Sequence, residues 1–103
     1  MNAVEIEEAV SELASQPFDS QEFAFSFLEA FGNKPTTIKR LRKGNTNKST
    51  IDGGVLQRNN IHIAVCDKGK VTDTLTHLRE SPETAKAKAQ FILSTDGQEF
   101  QAG

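Results

Sequence analysis

Cysteine is nearly absent from this chain: Cys66 is the single one in 103 residues. No intramolecular disulfide can form, which excludes the stapled scaffolds of small secreted proteins. The N-terminus, Met-Asn-Ala-Val-Glu-Ile-Glu-Glu, lacks both the basic and the apolar stretch of a signal peptide. No apolar run approaches the length of a membrane span. These absences predict a soluble, cytoplasmic protein. Phosphate-cradling glycine loops are missing too, because Lys43-Gly44-Asn45 and Asp52-Gly53-Gly54 fit neither the Walker nor the dinucleotide spacing and read as turns. The two histidines, His62 and His77, have no partner at ligand spacing, and one cysteine completes no common zinc pattern with them. His62 and Cys66 stand four residues apart on one strand face, too far for direct contact along an extended chain. No constellation of acid, base and nucleophile survives this scan, so this segment is not expected to be an enzyme by itself.

Charge of one sign is the last absence. Residues 1–33 contain seven acids and no lysine or arginine. Residues 34–58 reverse this, with seven basic residues (Lys34, Lys39, Arg40, Arg42, Lys43, Lys48 and Arg58) against one acid, Asp52. The remaining residues nearly balance, so the formal net charge of −2 conceals a strong asymmetry. Such segregation bears on partners and on docking within the molecule, not on the fold itself.

The length allows one domain. Residues 3–15 read as an amphipathic helix, with Ile6, Ala9, Val10, Leu13 and Ala14 on one stripe and Asn2 as its cap. After Pro17, Asp19 offers a second cap with Glu22 three residues on. The spacing predicts a helix over 20–31, with Phe23, Phe27, Leu28 and Phe31 on one stripe and Phe25 off it, ended by Gly32-Asn33. Five of the seven phenylalanines fall between Phe18 and Phe31, which marks this stretch as the anchor of the core. A short helix capped by Thr36 or Thr37 runs to Lys43, with Ile38 and Leu41 inward and Gly44 at its end. Residues 44–54 are rich in loop formers and read as an exposed, mobile loop.

Val55–Gln57 and Ile61–Cys66 read as strands of a hairpin turning at Arg58-Asn59-Asn60. Val71, Leu75 and Leu78 mark a helix over 71–80. Ser81-Pro82 starts another that continues through Ala85 and Ala89. Phe91–Thr95 is a buried strand, and Asp96-Gly97 turns it into a returning strand from Glu99. The fold class is therefore α/β of the α+β kind: a helical part, 1–44, then a sheet-containing part, 45–103, with a small mixed sheet and a helical crossover. The chain stops at Gly103 within that last hairpin, which is expected of a fragment of a longer chain.

The most suggestive chemistry is the basic block. Phosphate contact needs several cations on one surface, and Lys39, Arg40 and Lys43 share a helical face, beside Arg42 and an Asn- and Thr-rich loop. Lys39, Arg40, Arg42, Lys43, Lys48 and Arg58 are thus the candidate nucleic-acid-binding residues. The alternative is a solvated patch that docks on the acidic N-terminal helices, or a stand-alone protein-interaction module with no nucleic-acid role.

Three stretches carry a resemblance. Phe-Ser-Phe-Leu-Glu-Ala-Phe-Gly at 25–32 resembles the aromatic helix of MmeI-like (type IIL) restriction–modification enzymes. Thr-Ile-Lys-Arg-Leu at 37–41 and then Asn60–Gly69 follow in that family's order. Phe-Ile-Leu-Ser-Thr-Asp-Gly-Gln-Glu-Phe at 91–100 resembles its strand-turn ending in phenylalanine. The likeness covers nearly the whole chain. It implies a PD-(D/E)xK nuclease core joined, beyond Gly103, to an adenine-N6 DNA methyltransferase that uses S-adenosylmethionine.

In that family's nuclease, one carboxylate before a hairpin and a Glu-x-Lys on the next strand hold a divalent metal and activate water. Matching Gly69 to the family's glycine puts Ala64 at the Glu position and Cys66 at the Lys position, and neither can perform the role. Neither Asp-x-Lys nor Glu-x-Lys occurs anywhere in the 103 residues. Asp52, with Asp67 close by, reads as the remnant of the first carboxylate. The resemblance therefore implies a degenerate nuclease-like core with no catalytic residue, metal or cofactor of its own. Its partners would be DNA and the methyltransferase domain of the same chain.

Overall fold

The computed structural model describes residues 2–44 and 46–103. Three helices come first: α1 (Ala3–Ala14), α2 (Phe23–Ala30) and α3 (Pro35–Arg42). A hairpin of β1 (Gly54–Leu56) and β2 (Ile61–Val65) follows, then α4 (Val71–Glu80) and α5 (Pro82–Lys86), and finally β3 (Phe91–Thr95) and β4 (Phe100–Ala102). The strands form one mixed sheet in the order β1-β2-β3-β4. β2 and β3 lie parallel, Ile61 opposite Phe91 and Val65 opposite Thr95, while both outer pairs are antiparallel. Since parallel neighbours need a long crossover, α4 and α5 supply it. The expected order of helices, mixed sheet and crossover is what forms.

The two faces of the sheet are covered differently. Ile61 and Ile63 of β2 and Leu93 of β3 meet α1 and α2 in a cluster with Ile6, Phe23, Phe27 and Leu28. Phe27 is fully buried and its ring lies 6.1 Å from that of Phe23 and 5.0 Å from that of Phe31. Ala64 and Ile92 point the other way and meet Leu75 and Leu78 of α4. Each fully buried side chain of this size contributes about 1.5–3 kcal/mol. The phenylalanine stripe of α2 is thus the anchor its spacing predicts. Phe25, off the stripe, is half-buried beneath the guanidinium of Arg42, 4.4 Å from the ring centre.

Helix ends follow local chemistry, with three departures from expectation. Asn2 caps α1 as predicted, its Oδ1 accepting from the Glu5 amide at 2.9 Å. Helix α2 starts at Phe23, not after Asp19. The Asp19 carboxylate instead closes a turn onto the Gln21 amide, and the Glu22 carboxylate is drawn to Arg42. Its end does match: Gly32 at φ +83 sends its amide to Glu29 O, and the Asn33 amide bonds Leu28 O, a Schellman closure. Helix α3 begins at Pro35 with Lys34 as its cap, so neither Thr36 nor Thr37 caps it; proline's fixed φ suits the first helical position. Helix α5 stops at Lys86 and does not reach Ala89. Lys88 takes φ +56, and the Ala89 amide closes on Thr84 O.

The segment before β1 is irregular, as its loop formers predict, and its described residues are held by side-chain hydrogen bonds. Asn47 Oδ1 accepts from the amides of Ser49 (3.0 Å) and Leu56 (2.9 Å), and its Nδ2 donates to Gly54 O. Gly53, at φ +73, lies so near β2 that a Cβ there would sit 2.6 Å from Val65 O. Asn45, part of the predicted loop, lies outside the described residues.

Candidate functional site

Helix α3 buries Ile38 and Leu41 against the rest of the molecule, and that choice of face turns its cations outward. Lys39, Arg40, Arg42 and Lys43 are all exposed, as are Lys48 and Arg58. Arg58 sits in the β1–β2 turn, where Asn59 adopts φ +63, a conformation asparagine tolerates better than most residues. Lys48 is held beside β1 by its own backbone, the amide bonding Leu56 O at 3.2 Å. Of the six, Arg42 alone forms an ion pair among the described residues, with Glu22. Among the described residues, the polar contact of these six cations with the acidic helices is made by Arg42, through Glu22 and the face of Phe25.

The six cations do not share one surface hollow. Arg40, Lys48 and Arg58 surround a small one of about 330 Å³, with Thr37, Thr46, Gln57 and Leu41 completing its wall. Arg42 and Lys43 instead border an open groove of about 1080 Å³ that runs between α2–α3 and α4. Lys70 adds a third cation there, but Asp52, Asp67 and Asp73 line the same groove and offset them.

Two of the three positions matched to a nuclease centre also reach that groove. Asp52 is exposed on its rim, and Cys66 lies at the end of β2, half-buried. The Cys66 thiol donates to Thr95 O at 3.4 Å. Ala64 does not reach it. Its methyl group is fully buried under α4, packed with Leu75, Leu78 and Ile92. A carboxylate at position 64 would have to occupy that apolar contact. Among the described residues, no three His, Cys, Asp or Glu side chains gather closely enough to hold a metal ion.

One polar cluster escapes a reading of the sequence. His62 is fully buried, its Nε2 2.7 Å from Ser49 Oγ and its Nδ1 2.8 Å from Thr84 Oγ1. The Thr84 hydroxyl donates to Leu78 O at 2.7 Å, so it must accept from the imidazole. That assigns the proton to Nδ1 and leaves Nε2 to accept from Ser49. Burial pulls the His62 pKa down to about 4. The order hydroxyl–imidazole–acceptor resembles a nucleophile relay, but the third group is a neutral hydroxyl that stabilises no imidazolium, and so weak a base takes no proton from serine. Ser49 borders neither hollow. The cluster is a clamp that fastens the segment before β1 to the crossover. Its partners lie 13 and 22 residues from His62, beyond any local pattern.

Asp96 is a second clamp, on the surface. Its carboxylate accepts from the amides of Gln98, Glu99 and Gly69, and these bonds lower its pKa to about 2. The Asp96-Gly97 turn is thereby tied to the Gly69 turn that begins the crossover.

Residues 1–102 match the family described as MmeI, N-terminal domain. The chain belongs to this family. It is also similar to DNA methyltransferase A of Bacillus subtilis (strain 168), with 29% identity over 96 residues. That match covers 93% of this chain and 11% of the relative, so the chain spans a small part of the length of the protein it resembles. No solved structure matches. Among the described residues, no helix of this MmeI N-terminal domain is long and apolar enough to cross a membrane.

Proposed function

We propose that this chain serves as the N-terminal domain of a bacterial DNA adenine-N6 methyltransferase of the restriction–modification kind. It cuts no DNA itself, and its cations contact the duplex beside the methylation target while the domain supports the methyltransferase of the same chain. The observation that carries the reading is the state of the six candidate cations: all are exposed, and five of them form no ion pair among the described residues. Unpaired, solvent-facing cations are what counterion release on a phosphate backbone requires.

The core is read as nuclease-like and degenerate. The expected glutamate position is a buried alanine, and the expected lysine position is a thiol bonded to a backbone carbonyl. S-adenosylmethionine does not fit these residues. The glycine turn beside the groove closes on the protein's own atoms, with Val65 O filling the space at Gly53 and Ser49 Oγ that at Gly54. The cofactor is assigned to the parent chain outside this segment.

Fluorescence anisotropy with a labelled duplex at two salt concentrations tests the contact. The wild type should bind and weaken with salt by a slope of about −0.9 per phosphate contacted. The Lys39/Arg40/Arg42/Lys43→Ala variant should lose most of that affinity. No binding by either at tens of micromolar would favour a protein-interaction module. Plasmid incubated with Mg²⁺ or Mn²⁺ should stay intact, and cleavage that disappears with Asp52→Asn would overturn the inactive core.

A further inference from the structure

We infer that the hollow between Arg40, Lys48 and Arg58 is a seat for one phosphate group, occupied in the DNA complex by a single backbone phosphodiester. The inference rests on the DNA-contact reading above and assigns its anchoring point. The three cations come from three separate elements: the last turn of α3, the segment before β1, and the β1–β2 turn. None forms an ion pair, and no carboxylate lines the hollow, among the described residues. Cations in the last turn of a helix are ordinarily explained by its negative end. That accounts for Arg40 but not for Lys48 or Arg58, which belong to no helix.

The frame around the hollow is fixed. The Gln57 amide is held on both sides, donating to Asn33 Oδ1 at 2.8 Å and accepting from Asn60 Nδ2, which sets the start of the Arg58 turn. Lys48 is bonded through its backbone to Leu56, and the Asn47 side chain locks the residues on either side. Thr37 and Thr46 add hydroxyls that can donate to phosphate oxygens, over a floor of buried Leu41. The larger groove lacks this character. Its three carboxylates face its cations, and Arg42 is already engaged by Glu22. An anion therefore finds uncompensated positive charge in the small hollow and not in the large one.

Two readouts test the seat. In the first, the ¹⁵N-labelled chain is titrated with inorganic phosphate at constant ionic strength, with chloride as control. Saturable amide shifts confined to the segments around Arg40, Lys48 and Arg58 are expected. They should vanish in the Arg40/Lys48/Arg58→Gln variant and persist in Lys39/Lys43→Gln. Shifts that are absent, unsaturable or equal in both variants overturn the seat.

In the second, the salt slope of duplex binding is compared between wild type and the triple variant. Three cations converging on one phosphate predict a loss of about 0.9 in slope, whereas three separate contacts predict about 2.7, which would also overturn it. Duplex binding with no phosphate shift removes the seat and leaves the DNA-contact reading standing. Phosphate shifts with no duplex binding do the reverse, leaving a site for a free phosphate.

Discussion

The two faces of the sheet are built on different principles. On the side of α1 and α2 the cluster is large and apolar, with tilted phenylalanine rings along α2 and aliphatic side chains from β2 and β3 beneath them, and the buried Thr95 hydroxyl accepts from the Gly97 amide in the β3–β4 turn. On the side of α4 and α5 the apolar cluster is smaller, and buried polar groups stand beside it: His62 bonded to Ser49 and Thr84, and Ser94 donating to Val71 O at 2.8 Å. The first face supplies bulk burial, which is tolerant of detail. The second supplies bonds with direction, which hold the crossover and the segment before β1 in one place.

The largest test of that contrast is Phe27→Ala. Loss of a fully buried ring at the centre of the apolar face should cost about 3–5 kcal/mol, read from urea unfolding, and leave a domain of this size barely folded. A loss below about 1 kcal/mol would mean that the apolar face does not dominate.

Acidification should strike the other face. The His62 pKa is depressed when folded, to about 4 from an ordinary 6.5, so the unfolded chain binds more protons between those values. Stability is then full above pH 6.5 and falls as pH drops toward 4, by about 2–3 kcal/mol. The difference in unfolding free energy between wild type and His62→Gln should follow that window. Asp96, whose folded pKa is also depressed, contributes in a lower window: its stabilisation is present above the ordinary carboxylate value and is lost as pH falls through about 2. A difference that is flat between pH 7 and 4 would show that His62 titrates like an exposed residue.

Asn47→Ala sharpens the comparison locally. Three hydrogen bonds disappear, with an expected cost of about 1–2 kcal/mol. The Leu56 amide should exchange with solvent much faster while the amides of α2 stay protected. Uniform loss of protection would mean that the segment and the core unfold as one.

The smallest effect has the opposite sign. Lys88 closes α5 at φ +56, where a side chain is strained, so Lys88→Gly should stabilise the protein by about 0.5–1 kcal/mol, seen as a higher Tm.

Legibility in the sequence divides along the same line. Alternation of Ile61, Ile63 and Val65 and the helical spacing of Phe23, Phe27 and Leu28 are short-range patterns, and the strands, the α2 stripe and the crossover follow from them. The family resemblance, too, rests on contiguous stretches. The His62 clamp is not legible, because composition says only that residues 44–54 favour loops, while their order comes from Asn47 bonding the edge of β1 and Ser49 reaching His62 on β2. Likewise the basic residues are visible as a run, but their division between two hollows depends on which way α3 turns when Ile38 and Leu41 are buried.

The Asn47 side chain has one more consequence. β1 is an edge strand, and its outward backbone groups are already taken: the Leu56 amide by Asn47 Oδ1, Leu56 O by the Lys48 amide, and Gly54 O by Asn47 Nδ2. An exposed strand edge is a template on which a second chain can add its own strand and begin to aggregate. Here the Asn47 side chain and the Lys48 amide together imitate the neighbour that a growing fibril would supply, and a foreign strand arriving on that flank finds no rung to hold.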